Sequence, residues 1–324
     1  MAQSDHEELS LPRVIVNCFP RPMDGSLIAG VAQVLPWQVA LEGGYDLVEG
    51  IFMFGHELID GAMMDRLPGL KVISNCGVGV DHIDLTAARA RGIRVGNTPG
   101  VLDKTVADLA MTLLLGCARR LVEGDTFARS KDFVRVDHNY MLGVDVHGAT
   151  LGIVGMGNIG TQIAKRALGF DMKVLYFNRS CKEQAEKSYD VRRVAIDELL
   201  RESDFVVLAV PLTDATRGLI NEAAFVQMKS NAALINISRG PVVDTEALTQ
   251  ALKSSQIRAA ALDVTDPEPL PRDHPLLAMQ NVIITPHLGS GAEQTRLRMA
   301  NLAVANLVAG LSGNQMPSEV ESLA

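Results

Sequence analysis

At 324 residues, 47% hydrophobic and 21% charged, the chain has apolar material for two domains with cores of their own and the balance of an ordinary globular enzyme. A formal charge of −8, with no basic run and no aromatic-basic stripe, argues against a general nucleic-acid binder. No apolar run approaches the ~20 residues that cross a bilayer; residues 109–116 come nearest. Residues 1–10 are polar and acidic, unlike a signal peptide or an arginine-rich transit segment, and Glu321-Ser322-Leu323-Ala324 is not a peroxisomal tail, so the expected address is cytoplasmic. Cys18, Cys76, Cys117 and Cys181 form no Cys-x-x-Cys pair, which fits reduced thiols and predicts neither a disulfide frame nor a metal site; Cys76 reads as a small apolar filler.

In chain order, apolar runs alternate with helical spacing. Val14-Ile15-Val16 predicts a strand, residues 27–35 a helix stopped by Pro36, and 47–54 a strand end plus a loop. Residues 59–67 predict a helix ending at Pro68-Gly69, and Val72-Ile73 a strand that empties into Gly77-Val78-Gly79. A short helix over 85–90 and a strand at Ile93-Arg94-Val95 complete a parallel α/β pattern. After Thr98-Pro99-Gly100 a long helix is predicted from Asp103 to about Leu121, because Val106, Leu109, Ala110, Leu113, Leu114 and Cys117 recur at three and four. Residues 124–148 show little periodicity, and so long a connection is usually functional or packs on a partner.

The densest signal follows. Residues 151–154 are apolar, Gly155-Met156-Gly157-Asn158-Ile159-Gly160 comes next, a helical pattern leaves the glycines, and residues 172–177 are apolar again. Strand, tight turn, helix and strand make this a dinucleotide-binding loop: the first glycine for the turn, the second for approach of a pyrophosphate, the third for helix-on-strand packing. The pyrophosphate would lie at a helix N-terminus. Where an NAD-specific site carries Asp or Glu, this chain reads Asn178-Arg179-Ser180. No carboxylate repels a 2′-phosphate there, Arg179 can fork onto one and Ser180 can add a bond, so NADP(H) is the expected cofactor, with NAD(H) as the alternative.

Helices are then predicted over 197–200, 222–228, 245–252 and 293–307, with strands over 205–210, 233–237, 259–264 and 282–285. In open α/β sheets ligands bind outside the carboxyl ends of strands, so those ends carry the weight. One strand runs into Ser238-Arg239-Gly240, the next into Asp263-Val264 and Pro267-Glu268-Pro269, the last into Pro286-His287-Leu288-Gly289. Singly these read as an ion-pair arginine, a solvated glutamate and a loop histidine. In order, at successive strand ends after a dinucleotide fold, they suit reduction of a 2-oxo acid. Arg239 would grip the carboxylate, His287 would protonate the new alkoxide, and Glu268 would orient the imidazole.

Ser238-Arg239-Gly240, Asp263-Val264 with Glu268-Pro269-Leu270, Pro286-His287-Leu288-Gly289-Ser290, Gly77-Val78-Gly79-Val80-Asp81 and Asn97-Thr98-Pro99-Gly100-Val101 together resemble the signatures of the D-isomer-specific 2-hydroxyacid dehydrogenases. The resemblance spans nearly the whole chain and is strongest to the glyoxylate/hydroxypyruvate reductase branch, which includes 2-ketogluconate reductases. It implies two parallel-sheet α/β domains, Rossmann-like or flavodoxin-like. Residues 1–102 plus 290–324 would form the substrate-binding domain, with an NAD(P)-binding Rossmann domain, 103–289, inserted into it and the active site in the cleft.

By motif match the resemblance also assigns residues. Val78 and Gly79 would meet the substrate carboxylate alongside Arg239. Thr105, Ile237, Arg239, Asp263 and Gly289 would lie around the nicotinamide, and Val210-Pro211 on the adenosine side. It implies NADPH-dependent reduction of glyoxylate or hydroxypyruvate to the D-2-hydroxy acid, and a homodimer formed through residues 103–148. Reductases of this branch commonly carry tryptophan in that arm; here the only tryptophan is Trp37, and the arm has Phe133, Asn139 and Tyr140, so the size of substrate is left open. The rival readings are a 2-ketogluconate reductase, a 3-phosphoglycerate dehydrogenase-like enzyme, and a nucleotide-sensing corepressor-like binding protein on the same fold.

Overall fold

The computed structural model describes residues 11–21, 25–42 and 46–320; the two termini on which the cytoplasmic reading drew, 1–10 and 321–324, lie outside the described residues. The chain divides into two compact units, Met1–Leu102 with Ala292–Ala324, and Asp103–Gly291. Among the described residues, no helix is long and apolar enough to cross a membrane.

The first unit runs β1 (Arg13–Val16), β2 (Gln33–Pro36), α1 (Gln38–Glu42), β3 (Val48–Met53), α2 (Gly61–Asp65), β4 (Val72–Asn75), α3 (Leu85–Ala90) and β5 (Arg94–Gly96), and takes in the C-terminal helix Glu293–Leu311. Its five strands are parallel in the order β2-β1-β3-β4-β5. Strand order reverses between β1 and β3, the flavodoxin-like arrangement. Ile15, Ile51 and Ile73 are fully buried in a cluster with Met63, Met64 and Leu67 of the α2 region, and the C-terminal helix packs on β3, β4 and β5. Capping by Asp60 and Asp84, each accepting from an amide three residues on, starts α2 and α3.

Two expectations fail here. Residues 27–35 do not form a helix: turns closed by Ile28 N to Gly25 O and Val31 N to Ile28 O lead into β2. Gly25 and Gly30 sit at φ +86° and +80°, left-handed positions that interrupt helical propagation. Pro36 is tolerated because β2 lies at the sheet edge. Residues 47–54 hold more than a strand end, since β3 is a six-residue strand between β1 and β4. Glu49, which interrupts the apolar run, pairs with Lys71.

The second unit runs α4 (Asp103–Ala118), α5 (Leu121–Ala128), β6 (Thr150–Val154), α6 (Asn158–Ala167), β7 (Lys173–Phe177), α7 (Glu183–Tyr189), β8 (Val191–Arg193), α8 (Ile196–Glu202), β9 (Phe205–Leu208), α9 (Glu222–Gln227), β10 (Ala233–Asn236), α10 (Thr245–Lys253), β11 (Ala259–Leu262) and β12 (Val282–Ile284). All seven strands are parallel in the order β12-β11-β10-β9-β6-β7-β8, so strand order reverses between β6 and β9. That reversal is where a dinucleotide fold opens.

The predicted long helix is broken. Arg120 adopts φ +52°, and its guanidinium forks onto Glu123 at 2.8 and 2.7 Å, so α4 stops at Ala118 and α5 starts anew. The supposedly aperiodic arm therefore begins as helix, to Ala128. The sequence reading also omitted α7 and β8. Both are short, and each buries a single residue, Ala185 and Val191, which leaves no apolar period to detect.

Cys76 and Cys117 are buried, and burial pushes both thiols up to about 12. Cys18 and Cys181 are exposed; burial, with Glu57 nearby, also raises the Cys18 thiol. Thiolate is the reactive form. A disulfide reagent at pH 8 should therefore label Cys181 first and Cys18 more slowly, and reach Cys76 and Cys117 only after denaturation. Four fast thiols in the folded chain would contradict this packing.

Candidate active site

Parallel pairing brings three strand ends level. Asn236 of β10 pairs with Leu262 of β11, and Leu262 with Ile284 of β12. The ladder continues past the strands, with Asp263 N donating to Asn236 O at 2.9 Å, Thr285 N to Leu262 O at 2.9 Å and His287 N to Asp263 O at 3.0 Å. Arg239, Glu268 and His287 thus leave the same edge of one sheet from three adjacent strands.

Each is then fixed locally. Asn236, 1% exposed, accepts from Ser238 N and Oγ and donates to Arg239 O at 2.9 Å, which shapes the turn carrying the half-buried Arg239. The Arg239 Nη1 donates to Ser238 O at 2.9 Å. At Gly240 a Cβ would stand 2.0 Å from Thr265 O, so only glycine lets the β10 loop lie against the β11 loop. Glu268 uses both oxygens: Oε2 accepts from Thr265 N at 3.2 Å, and Oε1 lies 2.8 Å from His287 Nδ1. Side-chain exposures of 31% for His287 and 39% for Glu268 leave the pair accessible.

His287 sits at φ +55°, a left-handed conformation that costs a non-glycine residue ~1–3 kcal/mol and needs support from its surroundings. Asp263 gives that support. Its carboxylate accepts from Thr285 Oγ1 at 2.6 Å, Leu288 N at 2.7 Å and Gly289 N at 2.8 Å. Burial pushes the Asp263 carboxyl above the usual carboxylate range, while these three bonds and the nearby His287 pull the other way. The family resemblance implies Asp263 and Gly289 as cofactor neighbours; within this unit they hold the histidine loop.

At the reversal between β6 and β9, Gly155 adopts φ +102°, and a Cβ there would meet Ala209 O at 2.4 Å. The half-buried Val210, which precedes Pro211, lies against the same glycine. A Cβ on Gly160 would meet Gly155 O at 2.1 Å, so α6 closes on the turn. Gly157, the N-cap of α6, differs: a Cβ there would meet nothing within 4 Å, and no side chain caps the helix. Met156 is buried and its amide donates to Asn178 Oδ1 at 3.3 Å, tying the glycine loop to the loop after β7. Arg179 and Ser180 are exposed in that second loop. Ile237 is buried just past β10, and Thr105 is half-buried in the first turn of α4.

Val78 and Gly79 belong to the first unit, in the loop after β4. The carbonyls around them are all engaged. Asn75 Nδ2 donates to Gly77 O at 3.1 Å and Gly79 O at 2.9 Å, Thr98 N to Gly77 O at 3.0 Å, and Asn97 Nδ2 to Val78 O at 2.9 Å. A planar trans peptide turns the N–H opposite to its carbonyl, so the Val78 and Gly79 amides face away from these asparagines. Asn306, fully buried on the C-terminal helix, donates to Asn97 O at 2.9 Å and fixes Asn97 from behind. Sequence reading gave Asn75 and Asn306 no role. The available signal was an asparagine ending an apolar strand, where a buried amide must find partners.

Residues 111–289 match the family model for the D-isomer specific 2-hydroxyacid dehydrogenase NAD binding domain. The chain is 45% identical over 290 residues to the glyoxylate reductase of Thermococcus kodakarensis, covering 88% of this chain and 86% of that protein. It is 46% identical over 259 residues to glyoxylate/hydroxypyruvate reductase B of an Enterobacter species, covering 80% of each. Among solved structures, the NADPH-dependent glyoxylate/hydroxypyruvate reductase of Sinorhizobium meliloti, in complex with NADP and malonate, superimposes with a TM-score of 0.88 at 31% identity, over 96% of this chain and 97% of that one. A Thermus thermophilus protein matches with a TM-score of 0.85 at 44% identity, over 95% and 100%. The chain is therefore an oxidoreductase with a nicotinamide dinucleotide cofactor, a member of the D-isomer-specific 2-hydroxyacid dehydrogenase family in its glyoxylate reductase branch.

Proposed function

We propose that this chain reduces a small 2-oxo acid, glyoxylate or hydroxypyruvate, to the D-2-hydroxy acid with NADPH, and that His287 supplies the proton. The observation that carries this reading is the 2.8 Å contact of His287 Nδ1 with Glu268 Oε1, on a loop locked by Asp263 and beside the turn that presents Arg239. The names of the relatives support the substrate class. On this reading the first unit binds substrate and the second binds cofactor.

The glycine loop fits a dinucleotide on its own geometry. Gly155 and Gly160 are required by the protein's backbone, but Gly157 is not, since the place of its missing Cβ is open. That space at a helix N-terminus suits a pyrophosphate. The loop after β7 suits a 2′-phosphate, with Arg179 and Ser180 exposed and no carboxylate; NAD(H) is the weaker alternative. When bound, the nicotinamide supplies the hydride. The chain's own groups do the rest. Arg239 grips the substrate carboxylate in the second unit, and in the first unit the Val78 and Gly79 amides are donors suited to the same kind of anion. Glu268 keeps a proton on His287 Nδ1, so the imidazolium gives up its Nε2 proton to the oxygen that becomes the hydroxyl. In the opposite direction the neutral ring takes that proton back at Nε2.

A second copy of the chain is proposed to cover the arm. Leu121, Val134, Val136 and Leu142 are 63%, 84%, 66% and 69% exposed, and Phe127 stacks edge-on with Phe133 and Tyr140 beside them. So many apolar side chains in water favour burial against a partner. Sedimentation should give a dimer, and Val134→Asp with Leu142→Asp should shift it to monomer; a monomeric parent chain would dismiss this surface.

Kinetics tests the chemistry. NADPH oxidation should be fastest with glyoxylate or hydroxypyruvate in a panel that includes 2-ketogluconate and pyruvate, and NADPH should have a lower KM than NADH. His287→Ala should lower kcat by roughly 10²–10⁴, whereas Arg239→Met and Asn97→Ala should act mainly on substrate KM. Unimpaired turnover by His287→Ala would remove the assigned acid.

The glycines separate fold from binding. Gly160→Ala should lower Tm, as overpacking costs ~1–3 kcal/mol. Gly157→Ala should leave Tm within about 2 °C yet weaken NADPH binding about tenfold, the worth of one lost charge-assisted bond. Equal loss of Tm in both variants would mean that Gly157 is structural.

A further inference from the structure

Arg193 ends β8, the edge strand of the seven-stranded sheet, in register with Tyr176 of β7. Its side chain turns onto the loop that follows β7. Nε donates to Asn178 O at 3.1 Å, and Nη2 donates to Arg179 O at 2.8 Å. The next carbonyl, Ser180 O, accepts from Asn178 Nδ2 at 3.0 Å. Three successive carbonyls are thus drawn back, two of them by a single guanidinium. Because each peptide is planar and trans, the amides of Arg179, Ser180 and Cys181 turn to the opposite side.

The loop is braced from below as well. The Tyr176 hydroxyl donates to Glu186 Oε1 at 2.8 Å and accepts from Lys182 N at 2.9 Å, while Cys181 Sγ lies 3.3 Å from Glu186 Oε2. Hydrogen bonds from Tyr176 and Cys181, with Arg193 close by, hold the Glu186 carboxyl below the usual carboxylate range. The guanidinium itself brings a positive charge beside Arg179.

We infer that Arg193 is a specificity-determining residue for the 2′-phosphate of the cofactor: it fixes the loop Asn178–Ser180 with its amides outward and adds its charge there. This rests on the NADP(H) reading above. A lysine could supply the charge but not the two parallel bonds, since an ammonium lacks the planar fork.

The test is binding of adenosine fragments to the whole protein by calorimetry, which needs no turnover. The probes are 2′,5′-ADP, which carries the 2′-phosphate, and 5′-AMP, which lacks it. The parent chain should prefer 2′,5′-ADP by about tenfold or more. Arg193→Met should weaken 2′,5′-ADP about tenfold and leave 5′-AMP within about twofold, and Arg193→Lys should recover little of the loss. In turnover, KM for NADPH should rise while kcat and KM for NADH hold. If the parent chain shows no preference between the fragments, the NADP(H) reading itself fails. If the parent prefers 2′,5′-ADP and Arg193→Met keeps that preference, only the role of Arg193 is overturned. Full recovery in Arg193→Lys would overturn the carbonyl fork, and equal weakening of both fragments would overturn specificity in favour of general damage to the loop.

Discussion

Parallel pairing is the constraint on which the candidate site depends. With every strand of a sheet pointing the same way, every carboxyl end arrives at one edge, and loops from different strands compete for the same space. Here they are packed to the limit of backbone contact. Gly240 lies against Thr265 O, and Gly155 against Ala209 O, with no room for a methyl group at either position. Side chains from separate strands are thereby brought within bonding distance without long loops. Glu268 and His287 are 19 residues apart in sequence and 2.8 Å apart in space because β11 and β12 are neighbours in register.

The two loops proposed to meet anionic groups share one construction. In the first unit, Asn75 and Asn97 hold the carbonyls of residues 77–79. In the second, Arg193 and Asn178 hold those of residues 178–180. A backbone amide is a useful anion ligand only if its neighbouring carbonyl oxygens, which carry partial negative charge, are turned away and kept there. Satisfying those oxygens with side-chain donors does this, and it also pays the desolvation that an unpaired carbonyl would impose. Neither loop uses a lysine for the purpose, and the amides proposed as anion donors are held by the protein's own side chains.

Much of this was legible in the sequence, and the reason is that glycines and charged residues at strand ends are informative one residue at a time. The glycine loop, Arg239, Glu268 and His287 each follow within a few residues of the end of an apolar run, and the alternation of elements supplies the parallel sheets. The losses have a different origin. Residues 27–35 had an apolar spacing compatible with helix, but Gly25 and Gly30 at positive φ decide for turns, and a single sequence does not display φ. The break after Ala118 depends on Arg120 pairing with Glu123, an interaction that helical periodicity overlooks. Asn75, Asn306 and Arg193 escaped because they act on backbone carbonyls. A hydrogen bond to a main-chain oxygen has no residue-type partner to look for, so no motif announces it.

The histidine loop shows how the fold meets the cost of its own site. A left-handed His287 and a buried Asp263 are each unfavourable alone. Placed together they offset one another. The buried carboxylate is satisfied by a hydroxyl and two amides, and those same bonds hold residues 285–289 in the turn that requires the left-handed histidine. With its backbone so constrained, the ring needs only one further restraint to fix its direction, and Glu268 gives it at Nδ1. The imidazole is therefore oriented from two sides, by Asp263 through the main chain and by Glu268 through the ring, and neither bond uses Nε2, the edge that the proposed proton transfer requires.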